Sequence, residues 1–134
     1  MLGPGDRFTL RNEELTQSDE ALDLIEAAVA NAESGTGTFE LPELLRVKAK
    51  VLLAVSPRNA VAAEASIMAS LDCARTQSAL GWELRSATAL FHLWLDQGRA
   101  DAGRRMLTSI YERFTEGFET IDIRTTRALL EIPA

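Results

Sequence analysis

Apolar residues in this chain recur at helical spacing and are interrupted by glycine- and proline-bearing breaks. Ala21, Leu22, Ile25, Ala28, Val29 and Ala32 follow the i, i+3/i+4 pattern of one helix face. Thr16-Gln17-Ser18-Asp19 fits a capping box, and Asp19 and Glu20 suit the positive end of the helix dipole. The pattern therefore predicts a first helix from near Ser18 to the break at Gly35-Thr36-Gly37. Residues 1–15 are polar, carry Gly3-Pro4-Gly5 and show no sustained period, so a flexible tail is expected there.

A second helix is expected from Pro42 to about Val55, with Leu44, Leu45, Val47, Val51, Leu52 and Val55 on a wide apolar face. Ser56 can cap a third helix opened by Pro57, running to about residue 79, with the next break at Gly81. A fourth helix over 82–97 closes at Gln97-Gly98, where the glycine suits a left-handed cap. A fifth covers 100–115 up to Gly117, and a short sixth, capped by Thr120, covers 121–131 before Pro133. No stretch alternates as a strand does. The expected fold class is all-α: five main helices plus a short C-terminal one, in a domain over 16–134.

Two segments repeat at an offset of about forty residues. Leu44, Ala49 and Leu53 recur as Leu84, Ala89 and Leu93, and Ala63, Ile67 and Leu71 recur as Gly103, Leu107 and Tyr111. Such a period predicts a solenoid of antiparallel helix hairpins. Ala49, Ala63, Ala89 and Gly103 are then expected at helix crossings, where small side chains let axes approach.

The hairpins resemble the tetratricopeptide repeat. Ala63, Ile67, Ser70 and Leu71 match the small–large–small–large run of the second helix of a repeat, and Gly98 to Gly103 followed by Leu107 resembles its inter-helix turn. Ala21, Ile25 and Ala28 fit as well, as though the first helix were the second half of a repeat. Leu45 replaces an aromatic expected early in a first helix, and the turn Ser56–Asn59 lacks glycine. More narrowly, Glu43–Ala49, Trp82–Thr88, Leu93-Trp94 with Gln97-Gly98-Arg99, and Phe114–Phe118 with Thr120 and Asp122 are together similar to the C-terminal repeat region of bacterial multidomain proteins. Those proteins carry cyclase or winged-helix modules and a P-loop ATPase. The resemblance implies a non-catalytic protein–protein interaction module, scaffolding or regulatory, with a protein or peptide partner. It also leaves open a regulatory piece of a cyclase- or ATPase-linked signalling protein. No Gly-x-x-x-x-Gly-Lys-Ser/Thr loop is present, so nucleotide chemistry does not carry over.

Composition agrees with packed helices: 46% of the 134 residues are hydrophobic but only 6% aromatic. A net charge of −6 gives no basic field for nucleic acid. The N-terminus lacks the basic and apolar regions of a signal peptide, and no apolar run approaches a membrane span, so no membrane partner and a cytoplasmic location are expected. Cys73 is the sole cysteine, which excludes an intrachain disulfide and a cysteine-rich zinc site; it reads as a small buried hydrophobe. Glu112, Glu116, Glu119 and Asp122 lack the alternating oxygen pattern of a calcium loop. No enzyme, cofactor or metal is expected.

By the same resemblance, first helices of hairpins line a partner-binding groove. Candidate groove residues are Glu43, Arg46 and Lys50 on the second helix and the stripe Arg85, Thr88, His92, Asp96 on the fourth. No Ser-His-Asp or Cys-His pattern accompanies His92, the only histidine. Trp94 is expected in the core, while Trp82 beside Gly81 could be core or anchor. Phe114, Gly117, Phe118 and Thr120 are expected to form a lid on the last hairpin or a docking segment. Leu22, Ile25 and Val29 are candidates for an outward apolar face through which a homodimer could form.

Overall fold

A computed structural model describes residues 4–35, 38–117 and 120–131, with side chains from residue 19 onward except Thr38. It is all-helical. The α-helices are α1 (Pro4–Glu33), α2 (Leu41–Val55), α3 (Ala60–Thr76), α4 (Leu80–Asp96), α5 (Ala100–Tyr111) and α6 (Ile121–Leu130), and short 3-10 turns over Thr38–Glu40 and Pro57–Asn59 precede α2 and α3. No strand occurs among the described residues.

The caps largely follow the sequence. Pro42 sits in the first turn of α2, and Ser56 Oγ accepts the Arg58 amide at 3.1 Å to open the turn leading to α3. Gly98 takes a positive φ of 76° and closes α4: the Arg99 amide bonds Trp94 O at 2.7 Å and the Gly98 amide bonds Leu95 O at 3.1 Å. Thr120 Oγ1 accepts the Ile123 amide to cap α6.

Three expectations are corrected. The first helix starts at Pro4, not near Ser18, so residues 4–15, expected as a tail, are helical in backbone and the supposed capping box lies inside α1. No glycine or proline interrupts the chain from Asp6 to Ser34, so helix propensity carries the helix through the N-terminal residues, which have no apolar stripe of their own. The break after α3 falls at Gln77–Ala79 rather than at Gly81, which lies in the first turn of α4. There Ser78 adopts φ 56° and builds the same two-bond cap that Gly98 builds, with Ala79 N–H on Ala74 O at 2.8 Å.

The third correction concerns register. Ala63, Ile67 and Gly103, Leu107 are all buried, so the offset of forty holds from α3 to α5. From α2 to α4 it is forty-one: Pro42, Leu45, Ala49 and Leu52 correspond to Glu83, Ser86, Leu90 and Leu93, all buried, whereas Ala89 stays half-buried. The connections explain the slip. Val55 and Asp96 end their helices 41 residues apart, but Ala60 and Ala100 begin theirs 40 apart, so the turn after α4 is one residue shorter.

Packing runs between each helix and the next, and in addition α2 contacts α4 and α4 contacts α6. The described residues show no comparable contact of α1 with α3 or of α3 with α5. Buried serines fix the crossing of the middle helices. Ser66 Oγ donates to Leu45 O at 2.7 Å and Ser70 Oγ donates to Pro42 O at 2.6 Å, so α3 runs antiparallel to α2. Ser70 has only one hydrogen to give, so Ser86 of α4 donates to Ser70 Oγ across 2.6 Å. Ala49, Ala63 and Gly103 occupy the close approaches, and Gly103 lies under the fully buried Phe91 ring.

A methyl group built on Gly103 would lie 2.5 Å from Phe91 Cδ1. Gly103→Ala should therefore destabilise by about 1–3 kcal/mol, outweighing the roughly 1 kcal/mol that alanine gains in helix propensity. Urea unfolding of the variant checks the sign.

Candidate functional site

Antiparallel packing of α3 on both α2 and α4 makes those two helices parallel and leaves a trough between them. Its walls are Arg46, Lys50 and Leu53 of α2 and Arg85, Thr88, Ala89 and His92 of α4; Ala49 and Ile67 line its base. The cavity holds about 350 Å³. Five of the seven groove residues expected from sequence thus meet in one cleft. Glu43 lies at its edge, and Asp96 is exposed and does not line it.

The base is apolar because Ala49 and Ile67 line it, and Ala89 adds only a methyl group from the α4 wall. The rim is basic. Glu43 accepts Arg46 Nε at 2.5 Å and Arg85 Nη1 at 2.6 Å, and Asp122 of α6 accepts Arg85 Nη2 at 3.1 Å. Arg85 therefore joins α2, α4 and α6 with one planar fork. Burial pushes the Glu43 carboxyl up, but the Arg46 and Arg85 bonds outweigh it and hold the group below its ordinary value. Asp122 and Glu43 raise the Arg85 pKa in turn. Lys50 and His92 are exposed, and neither has an ion-pair partner among the described residues. Thr88 Oγ1 donates back to Leu84 O at 2.9 Å, which uses its one hydrogen and leaves the oxygen able only to accept.

Glu83, which sequence pattern did not single out, is 1% exposed and takes Arg75 Nε at 3.0 Å and Arg113 Nη1 at 2.7 Å. This carboxylate ties the end of α3, the start of α4 and the segment after α5. Its only advance signal was an acid at a position that the corrected register makes inward-facing. Trp94, expected in the core, is half-buried: its Nε1 donates to Glu64 at 2.9 Å and Arg99 stacks over its ring at 4.5 Å. Trp82 is half-buried against the exposed Phe39 ring, 5.2 Å between centroids.

The remaining expectations divide. Cys73 is half-buried rather than buried, and desolvation raises its thiol pKa, the reverse of activation. Leu22, Ile25 and Val29 do not form an outward face: Val29 is buried, Leu22 packs on the core and Ile25 is half-buried, because this stripe faces the packed side of α1. Leu24 is the exposed large apolar residue described there. Of the lid, Phe114 packs on the core, Gly117 turns the chain at φ 77° and Thr120 caps α6; Phe118 lies outside the described residues.

No helix of the described residues is long and apolar enough to cross a membrane, and they contain no cluster of three or more metal-ligating side chains. No family model, curated protein or solved structure matches the chain.

Two outcomes follow from these ion pairs. Replacing Arg75 and Arg113 together with alanine strands a buried carboxylate and should cost about 3–5 kcal/mol. Glu83→Gln leaves two half-exposed guanidiniums free to hydrate and should cost less; chemical denaturation of both variants gives the order. For Glu43, a lowered pKa in the folded state means its stabilisation is whole above the ordinary value of 4.5 and is lost as pH falls through the lowered one. The gap in melting temperature between the parent and Glu43→Gln should accordingly close on acidification below that value, as a series of melts from neutral to acid pH would record.

Proposed function

We propose that the chain is a non-catalytic helical-repeat module of the tetratricopeptide type, whose α2–α4 cleft binds a segment of a protein partner. The observation that carries this reading is the cleft itself. Residues chosen from sequence as partner-facing converge on a trough with an apolar floor and a polar rim, the chemistry of a peptide site. The packing order supports the repeat reading. Among alternate helices, α2 packs on α4 and α4 on α6, while α1 does not meet α3 nor α3 meet α5 among the described residues, as stacked hairpins with an inner and an outer layer require. Parallel inner helices present side chains in register along the trough, which suits a segment lying lengthwise between them.

A photo-crosslinking side chain at Thr88, used in extracts of the source cell, tests the proposal against the same group at Ala65 on the exposed side of α3. The expected result is a discrete protein adduct from position 88 alone, abolished when Ala89→Arg fills the trough without lowering the melting temperature. Equal adducts from both positions, or adducts indifferent to Ala89→Arg, would overturn it.

A further inference from the structure

A surface helix ordinarily buries one apolar face and gives water a polar one, but α3 is apolar on both. Its buried face, with Ala63, Ile67, Leu71 and Ala74, packs on α2 and α4. The opposite face carries Val61, Ala62, Ala65, Met68 and Ala69, all exposed, Val61 to 84% and Met68 to 40%. Between Arg58 and Asp72 the only ionisable residue is Glu64, and it is held on a flank by Trp94 and Arg99. The outward face of α5 shows the ordinary pattern, with Asp101, Arg105, Ser109 and Glu112 exposed. A helix apolar all round is one packed between two layers, and among the described residues α3 meets only α2, α4 and the 3-10 turn before it.

The two charges that bracket this face are set against their own helix. Arg58, in the turn that leads into α3, lies at the positive end of the helix dipole, and Asp72 lies near the negative end. Arg58 has no ion pair among the described residues. Asp72 has only Arg75, at 3.9 Å, and its side chain stays 75% exposed. Each charge would be favourable at the other end of a helix. A second α3 running antiparallel supplies that end, because it brings its C-terminal half beside Arg58 and its N-terminal turn beside Asp72.

We propose that this face of α3 pairs with the same face of a second copy of the chain, about a two-fold axis that crosses the helix at Ala65. The positions are self-complementary, as such an interface requires. Ala65 meets the partner's Ala65. Arg58 and Asp72 lie seven residues to either side of it, so Arg58 faces the partner's Asp72 about 10 Å from the axis. A two-fold axis at right angles to the helix keeps each flank on its own side. Val61 therefore packs beside the partner's Met68 along one flank, and Ala62 beside the partner's Ala69 along the other. The alanines let the two helices close, and Val61 and Met68 fill the groove that remains. The α2–α4 cleft opens on the far side of α3, where Ile67 lines its base, so pairing leaves it free whatever it binds.

One helix pair lies at the small end of protein interfaces, so a dissociation constant on the order of 10 μM or weaker is expected. Below about 1 μM the copies are apart, and Ala65 then faces solvent as its use as a crosslinking control in extracts requires. Sedimentation equilibrium of the intact chain from about 1 μM to about 1 mM reads the pairing: the mass should rise from one chain to two and no further. Ala65→Glu sets two carboxylates together at the axis and should weaken pairing about tenfold or more. Its melting temperature in dilute solution should match the parent's, because Ala65 is exposed. Arg58→Glu and Asp72→Arg should each weaken pairing several-fold, although each reversal suits the dipole of its own helix. Joined in one chain, the two reversals should restore pairing to within about threefold of the parent, which independent local effects would not do. A chain that stays monomeric at the highest concentration, grows past a dimer, or pairs equally well with Ala65→Glu would overturn the proposal. Single reversals without effect, or a double reversal that stays weak, would overturn it too, because the antiparallel register then fails.

Discussion

The rotation of α4 about its own axis is the constraint on which the candidate site depends, and a buried carboxylate sets it. Glu83 is turned inward where Arg75 and Arg113 meet it from either side. A buried carboxylate without such partners would cost several kcal/mol, so α4 cannot roll to a different face without exposing or stranding it. With Glu83 inward, residues two, five, six and nine positions later fall on the flank beside α2. Those residues are Arg85, Thr88, Ala89 and His92, the α4 wall of the cleft. The arginines that neutralise Glu83 are themselves half-exposed, so the protein desolvates one charge fully and the other two only in part. That arrangement limits the cost of burial while keeping the geometry specific.

Small residues do the complementary work of setting distance. Ser66 and Ser70 let α3 close on α2 because each hydroxyl answers a carbonyl of the neighbouring helix instead of facing an apolar wall. Ser86 extends that chain of bonds to α4. Three helices are thus bound through hydroxyls where a core of leucines would have held them farther apart. The resulting depth is what leaves Ile67 at the base of the trough rather than hidden beneath it. Arg85 then closes one end of the trough by linking α2 and α6, so the rim is braced by the residues that also give it its charge.

Much of this was legible in the chain. The helical periods, Pro42, Ser56, Gly98 and Thr120 placed most helix ends because each acts through its own backbone or its nearest neighbours. Of the stripe Arg85, Thr88, His92, Asp96, the first three line one cleft and Asp96 lies beyond it, since helical spacing fixes which residues share a face but not where the neighbouring helix ends. The start of α1 at Pro4 was missed although local propensity sets it, and the other failures depended on something outside the segment. Ser78 at positive φ gave no local sign that it would end α3 in place of Gly81. Leu22 and Val29 were placed on the correct stripe but on the wrong side, because a stripe does not say which neighbour it meets.

The sequence by itself determined the helices, their order and the residue types along each face, because these follow from local propensity and from a period of 3.6 residues. Tertiary structure decided the phase between helices. One residue fewer in the turn after α4 moved the inner register to forty-one while the outer stayed at forty, and that step put Glu83 and Ser86 inside. Only packing could decide it. The cost of a buried carboxylate, the reach of Arg75, Arg113 and Arg85, and the close approach allowed by Gly103 are properties of pairs distant in the chain, and no single segment contains them.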